Sequence, residues 1–297
     1  MRQTQKWLRL HEQCSPARTD TGVRRVYGRA FTETIAFLEG PDGLPADEVE
    51  VVGLGCGSGA KDCALVEQLV RAGRKVFYTA VDVSLAMVLT ARETALKILP
   101  EENCRAVVCD LATEPGLAEA IFSGQGARGA RRVRIVTAFG LLPTFEPGVL
   151  LPVLSRLGSS AEALLVSANL APGAEYAAGI GKVLPGYENE LTRDWLMSAL
   201  KDLDIWPDDG DLRFGIEEGG MGCRRIVGWF RFGRQRTFRL WDEEFFFEKG
   251  ETLRVFFSYR HTPELVRKIA KTHSMNVERE WISESGEEGV FLLRGLS

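Results

Sequence analysis

Residues 49–61, Val-Glu-Val-Val-Gly-Leu-Gly-Cys-Gly-Ser-Gly-Ala-Lys, constrain the fold more than any other stretch. A short β-branched run ends in alternating glycines at Gly53, Gly55, Gly57 and Gly59, and a helical pattern follows at once. A buried strand therefore feeds a tight turn whose backbone N–H groups can approach a ligand closely. The following helix points its positive end at the same spot, which suits an anionic group. The stretch reads as a cradle for a nucleotide-type cofactor.

The rest of the chain supplies the frame. Strand patterns at 49–54, 75–82, 104–110, 132–139 and 162–169 alternate with helical patterns at 60–72, 84–99, 114–123 and 147–157. Such alternation implies a parallel sheet with ligands bound past the C-terminal ends of its strands. Ahead of it, Gly22 to Leu38 carries Val23, Tyr27, Phe31, Ile35 and Leu38 at helical spacing, and the run Gly40 to Pro45 breaks the pattern. From Ala171 the texture changes. Residues 174–204 read as helical, broken at Leu184-Pro185-Gly186, and 212–259 read as strand-rich. A turn near Gly233 would join 229–232 and 238–241 as an antiparallel hairpin. A helix over 262–275 and strands at 276–283 and 289–296 return to the first sheet. The expected fold class is α/β, a doubly wound Rossmann-like sheet with an inserted α+β, mostly antiparallel module. The expected division is a helical lid over 1–45, a cofactor domain over 46–170 and 260–297, and a substrate module over 171–259.

Length and composition exclude several alternatives. A chain of 297 residues with 45% hydrophobic and 26% charged residues fits an ordinary globular enzyme of one or two domains. No apolar run reaches the roughly 18 residues that span a bilayer, and the first residues lack the apolar stretch of a signal peptide; a cytoplasmic protein is expected. The net charge of −4 exerts no general pull on nucleic acid or anionic membrane. Cys14, Cys56, Cys63, Cys104, Cys109 and Cys223 form no CxxC pair, and His11, His261 and His273 have no zinc spacing. The cysteines read as small core residues in a reducing compartment, and no metal is expected.

Gly55 to Ala60 also satisfies GxGxxA, the dinucleotide fingerprint. Three residues favour S-adenosylmethionine instead. Asp82 ends the second strand, where a carboxylate can accept both ribose hydroxyls, which alone fits either cofactor. Asp110, followed by Leu111, ends the third strand, beside the exocyclic amine of an adenine. Lys61 sits in the first helical turn, where a cation can meet the methionyl carboxylate. Asp82 and Asp110 also suit plain helix caps. Gly53, Gly55, Cys56 and Gly57 complete the turn, Val83 follows Asp82, and Tyr27 reads either as a ring over the cofactor or as a buried amphipathic ring.

At these residues the sequence resembles the histidine N-α-methyltransferases of ergothioneine biosynthesis, class I S-adenosylmethionine-dependent enzymes. Leu54-Gly55-Cys56-Gly57-Ser58-Gly59-Ala60-Lys61-Asp62 is similar to the family's first motif, Tyr78 to Ser84 to its Asp-Val-Ser motif, and Gly250 to Arg260 to its C-terminal motif. The likeness runs from about residue 48 onward. It implies a methyltransferase sheet, cofactor binding by Gly55, Lys61, Asp82, Asp110 and Leu111, and a module that closes over an amino-acid-like substrate. The family's imidazole-binding glutamate falls on Phe256, while its neighbouring serine survives as Ser258. The asparagine that grips the substrate's amino-acid end falls on or beside Phe145, next to Thr144. Two polar anchors replaced by phenylalanine would leave a histidine's charged groups unpaired, at roughly 1–3 kcal/mol each or more. The resemblance thus implies a small-molecule methyltransferase acting on an amine or amino-acid-derived compound other than histidine.

Methyl transfer from a sulfonium is a direct displacement that needs positioning more than a base, so no catalytic residue is assigned. Two alternatives carry motivation. An RNA methyltransferase is suggested by Arg224, Arg225, Arg231, Arg234, Arg236 and Arg239 among Trp229, Phe230, Phe232 and Phe238. Strand alternation gives the opposing account, with rings inward and arginines outward, and no nucleic-acid partner is expected. A non-catalytic cofactor-binding relative is suggested by the two phenylalanine replacements.

Overall fold

The strand β1 (Glu48–Leu54) is buried at every position. A strand with no wet face must sit inside a sheet covered on both sides, and parallel pairing follows. In the computed structural model β1 pairs in parallel with β2 (Lys75–Asp82) on one flank and β4 (Arg132–Ala138) on the other. β2 carries β3 (Cys104–Val108) at the edge, and β4 carries β5 (Ala163–Asn169). β12 (Glu288–Gly295) then runs antiparallel to β5, and β11 (Met275–Ile282) antiparallel to β12. The seven strands lie in the order β11-β12-β5-β4-β1-β2-β3, the doubly wound arrangement, and the order reverses between β1 and β4. Ligands of such sheets bind beyond the strand tips at that reversal. The structure describes residues 2–14, 20–39, 48–113, 116–122, 132–240 and 242–295, and not the side chains of residues 2–4, 11 and 14.

The chain forms two compact units, one of Asp20–Leu170 with His261–Ser297 and one of Met1–Thr19 with Ala171–Arg260. The larger unit contains the seven-stranded sheet and the helices α2 (Thr21–Glu39), α3 (Ala60–Arg71), α4 (Leu85–Ala95), α5 (Leu117–Phe122), α6 (Pro147–Gly158) and α9 (Pro263–Thr272). Its core joins Val52, Val136, Leu154, Val166, Ile269 and Phe291. At the N-terminal ends of the strands, Glu48 pairs with Lys75 at 2.8 Å and Arg132 at 2.9 Å, and Glu50 with Arg134 at 3.1 Å. The expected helix over 84–99 is shorter, ending at Ala95. Residues 114, 115, 123 and Leu296, assigned to elements from sequence, lie outside the described residues, as does the break at Gly40 to Pro45.

The smaller unit holds α1 (Arg2–Cys14), α7 (Tyr176–Val183) and α8 (Glu190–Asp202), which packs with α1 through a 2.7 Å ion pair between Lys6 and Asp194. Its strands are β6 (Gly210–Glu218), β7 (Arg224–Phe232), β8 (Arg236–Leu240), β9 (Glu243–Phe247) and β10 (Thr252–Arg260). The first 45 residues therefore do not form one lid: α1 belongs to the smaller unit, and α2 buries Val23, Tyr27, Phe31 and Leu38 in the larger. The expected hairpin across Gly233 does not form either. β7 is already flanked by β6 and β10 in one antiparallel sheet. The Gly233 N–H donates to the Asp209 carbonyl and the Phe232 N–H to the Glu251 carbonyl, so the chain leaves the sheet after Phe232 and β10 takes its place. β8 then pairs with β9 in a separate ribbon; Trp241 lies outside the described residues. No described helix is long and apolar enough to cross a membrane.

Candidate cofactor site

The glycine turn is built without a helix-capping side chain. Gly55, Gly57 and Gly59 all adopt positive φ, and Gly59 is the left-handed residue that opens α3. A Cβ on Gly59 would stand 2.9 Å from the Cα of Ala91, so α4 presses on the turn from behind. One strand earlier, a Cβ on Gly53 would run into the carboxylate of Asp62. The turn is tied to the next strand by the Cys56 N–H, which donates to the Val81 carbonyl at 3.1 Å.

Asp82 holds the turn directly. One carboxylate oxygen accepts the Gly57 N–H at 3.2 Å and the other the Ser84 N–H at 2.9 Å. Asp110 is exposed at the neighbouring tip and accepts the Ala112 N–H at 2.9 Å. Among the described residues no cation is paired with either acid. Val83 is 68% exposed between these tips, whereas Leu111 is buried in the core and has only its backbone to offer a ligand. Burial pushes the Cys56 thiol well up, with the charges of Asp62 and Asp82 acting in the same direction, so this cysteine is not a thiolate nucleophile.

Lys61 leads to a polar cluster. Its Nζ donates to the Tyr27 hydroxyl at 2.7 Å and to Glu288 Oε1 at 3.2 Å, and the Tyr27 hydroxyl in turn donates to the same Glu288 oxygen. Tyr27 itself is buried, with its ring edge-on to Phe31 and Phe139. Burial, and then the Glu288 charge, hold its hydroxyl well above the ordinary tyrosine range, so it is a neutral phenol here.

Asp62 is a second buried acid. Tyr78 donates to one of its oxygens at 2.9 Å and Thr137 to the other at 2.7 Å. Burial raises its pKa to about 6, against the opposing effect of these two hydroxyls and of Lys61. Neither Glu288 nor Asp62 is evident from sequence. Asp62 reads as an acid of the first helical turn, and Glu288 as part of a surface Glu-Glu-Gly turn. The signal at Glu288 is a carboxylate abutting the wholly apolar run Val290-Phe291-Leu292-Leu293.

The substrate candidates divide between the units. In the larger one, Phe145 packs on the core and the Thr144 hydroxyl is spent on the carbonyls of Gly140 and Leu141. In the smaller one, Phe256 packs against the rings of Tyr187 and Trp195, with centroids 5.6 and 6.1 Å away. Ser258 is buried and accepts from the Tyr187 hydroxyl at 3.1 Å, which itself accepts from Arg260 at 2.7 Å. Tyr187 was not singled out from sequence. The arginine stripe is neutralised where it is densest: Arg224 pairs with Glu218, Arg225 with Glu217, and Arg234 and Arg236 with Asp209. Phe230, Phe232 and Phe238 are core residues there, so they offer no face to a base.

No family model and no curated protein matches the chain. Similar solved structures include a magnesium protoporphyrin IX methyltransferase from Synechocystis with bound S-adenosylhomocysteine, at 16% identity, 98% coverage of this chain, 94% of that one and a TM-score of 0.47. Others are the CcbJ methyltransferase from Streptomyces caelestis (11%, 92% and 89%, TM-score 0.44) and an aminopentose methyltransferase from Micromonospora echinaspora with bound S-adenosylmethionine (14%, 90% and 90%, TM-score 0.39). Likenesses this distant carry no argument about activity, and the histidine-specific resemblance gains no support from them.

Proposed function

We propose that the larger unit binds S-adenosylmethionine and that the chain is a methyltransferase acting on a small-molecule acceptor. The observation that carries this reading is the grip of Asp82 on the Gly57 N–H. A glycine turn that cradles a pyrophosphate turns its free amides toward the phosphates. Here a carboxylate occupies the amide, and a second carboxylate stands at the next strand tip. Two acids at these tips suit a ribose diol and an adenine amine, both hydrogen-bond donors.

The bound cofactor supplies a methyl group on a positively charged sulfur, open to in-line displacement by an acceptor lone pair. The chain's own contribution is placement. Asp82 fixes the turn and accepts from the sugar, Asp110 accepts from the base, and Val83 gives the base an apolar surface. Lys61 offers a cation to the carboxylate of the amino-acid end. A neutral amine acceptor needs no general base, and none is assigned.

For the acceptor we propose an amine or amino-acid-derived compound, larger and more apolar than histidine. Phe256, ringed by Tyr187 and Trp195, supports an apolar wall, with Tyr187 and Ser258 as its polar contacts. Calorimetry with S-adenosylmethionine and S-adenosylhomocysteine tests the cofactor; binding of neither, or tight binding of NADH instead, overturns it. Methylated product from an acceptor panel, lost on Asp82→Ala, tests the reaction. No turnover with any acceptor despite tight cofactor binding would favour a non-catalytic binding protein.

A further inference from the structure

β12 is antiparallel to the parallel strands beside it, so its first residue, not its last, stands at their C-terminal edge. That residue is Glu288, paired across the ladder with Asn169 at the end of β5. The sheet thus delivers a carboxylate to the edge where the glycine turn lies, and Lys61 reaches it from the first turn of α3. The Glu288 side chain is 6% exposed and that of Lys61 is 22% exposed. A pair so withdrawn from water gives up much of its hydration, and its mutual attraction seldom recovers more than that cost. Stability is therefore a weak reason for it.

The valences of the cluster are specific. An ammonium has three N–H donors, and Lys61 uses one on Tyr27 and one on Glu288. The two bonds that reach Glu288 both end on Oε1, and no described residue donates to Oε2. Tyr27 accepts from Lys61 and donates to Glu288, so both of these bonds stay inside the cluster. What is left over is one cationic donor and one anionic acceptor, side by side, with net charge zero. An α-amino-acid end carries the complementary set, a carboxylate beside an ammonium, also with net charge zero.

We infer that Glu288 is a cofactor-binding residue: with Lys61 it forms a two-charge clamp that reads the amino-acid end of the cofactor as a zwitterion, Lys61 facing the carboxylate and Glu288 the ammonium. This rests on the proposal that the larger unit binds S-adenosylmethionine. Lys61 alone would take any anion; the clamp rejects an anion without a cation beside it, because Glu288 would face it unscreened.

Calorimetry at pH 7.5 with three probes tests this: S-adenosylhomocysteine, its analogue lacking the α-amine, and 5′-methylthioadenosine, which lacks the whole amino-acid end. Loss of the amine is expected to weaken binding to the unaltered protein by about tenfold or more, the size of a charge-assisted hydrogen bond. Glu288→Gln is expected to weaken S-adenosylhomocysteine by a similar factor, to leave methylthioadenosine within about twofold and to bind the desamino analogue no more weakly than the unaltered protein does. Equal affinity of the unaltered protein for S-adenosylhomocysteine and the desamino analogue overturns the inference, and this comparison stands even if Glu288→Gln fails to fold. So does a Glu288→Gln variant that weakens all three probes alike, which marks a scaffold residue. If none of the probes binds the unaltered protein, the cofactor reading itself falls; if methylthioadenosine binds and S-adenosylhomocysteine binds no better, only the clamp does.

Discussion

The two edges of the large sheet treat their acids in opposite ways. At the N-terminal edge Glu48 and Glu50 each meet a guanidinium, and Glu48 an ammonium as well. Arg132 and Arg134 also lie over the rings of Phe77 and Phe122, at 3.9 and 4.0 Å. Each of these charges is answered from within the chain. At the C-terminal edge Asp82 and Asp110 are held by backbone amides. An amide orients a carboxylate without neutralising it, so lone pairs remain for a donor that comes from outside. Among these four acids, the closed charges of Glu48 and Glu50 belong to the scaffold, and the oriented but unneutralised ones of Asp82 and Asp110 leave a place for a ligand.

Breaking the closed edge gives the largest effect. Glu48→Ala removes the carboxylate that joins Lys75 and Arg132, and unfolding in urea is expected to show a loss of about 4 kcal/mol with cofactor affinity unchanged. Weaker cofactor binding in that variant would erase the distinction between the edges.

Asp62 is a third case, held by two hydroxyls and, among the described residues, by no cation in bonding distance, and its response to pH sharpens the contrast. Its pKa is raised from 3.8 to about 6 on folding, so the folded state keeps the proton longer. The stability Asp62 contributes is therefore full below about pH 4 and lost as pH rises through about 6. Asp62→Asn, neutral at every pH, is expected to match the unaltered protein near pH 4 and to exceed it by up to about 3 kcal/mol at pH 7.5. Thermal unfolding of both proteins across pH 4–8 measures this, and a pH-independent difference refutes it.

At the open edge Asp82→Ala is expected to weaken S-adenosylhomocysteine about a hundredfold, or about 2.7 kcal/mol, while unfolding changes by less than about 1 kcal/mol. Large destabilisation with little loss of affinity would move Asp82 to the scaffold class. Asp110→Asn is expected to cost least, about fivefold in affinity, because the exposed carboxamide oxygen still accepts. Competition with adenosine analogues lacking the exocyclic amine checks that Asp110 is the residue involved.

The same contrast explains how much the sequence disclosed. β1, β2, β4 and β5 are nearly continuous apolar runs because the sheet buries both their faces, and local pattern is enough to find them. Asp82 is visible because it ends such a run, and Asp110 because it follows the short edge strand β3. β8 was misassigned because pattern shows that a segment is extended and not what it pairs with; the flank of β7 is taken by β10, twenty residues farther on. Glu288 and Asp62 were missed for a related reason. A buried acid differs from a surface one only by its distant neighbours, here Tyr27 and Lys61 for one and Tyr78 and Thr137 for the other.

Chain order makes the position of Glu288 consequential during synthesis. The glycine turn and both tip acids are in place once the first three strands have left the ribosome, but the partner of Lys61 belongs to the strand that emerges last of the seven. A nascent chain released up to β5 would hold Lys61 against the Tyr27 hydroxyl, with the carboxylate of Glu288 still to come. Recognition of the whole ligand is thus coupled to closure of the sheet, and ligand present during translation would reward only chains that have finished folding.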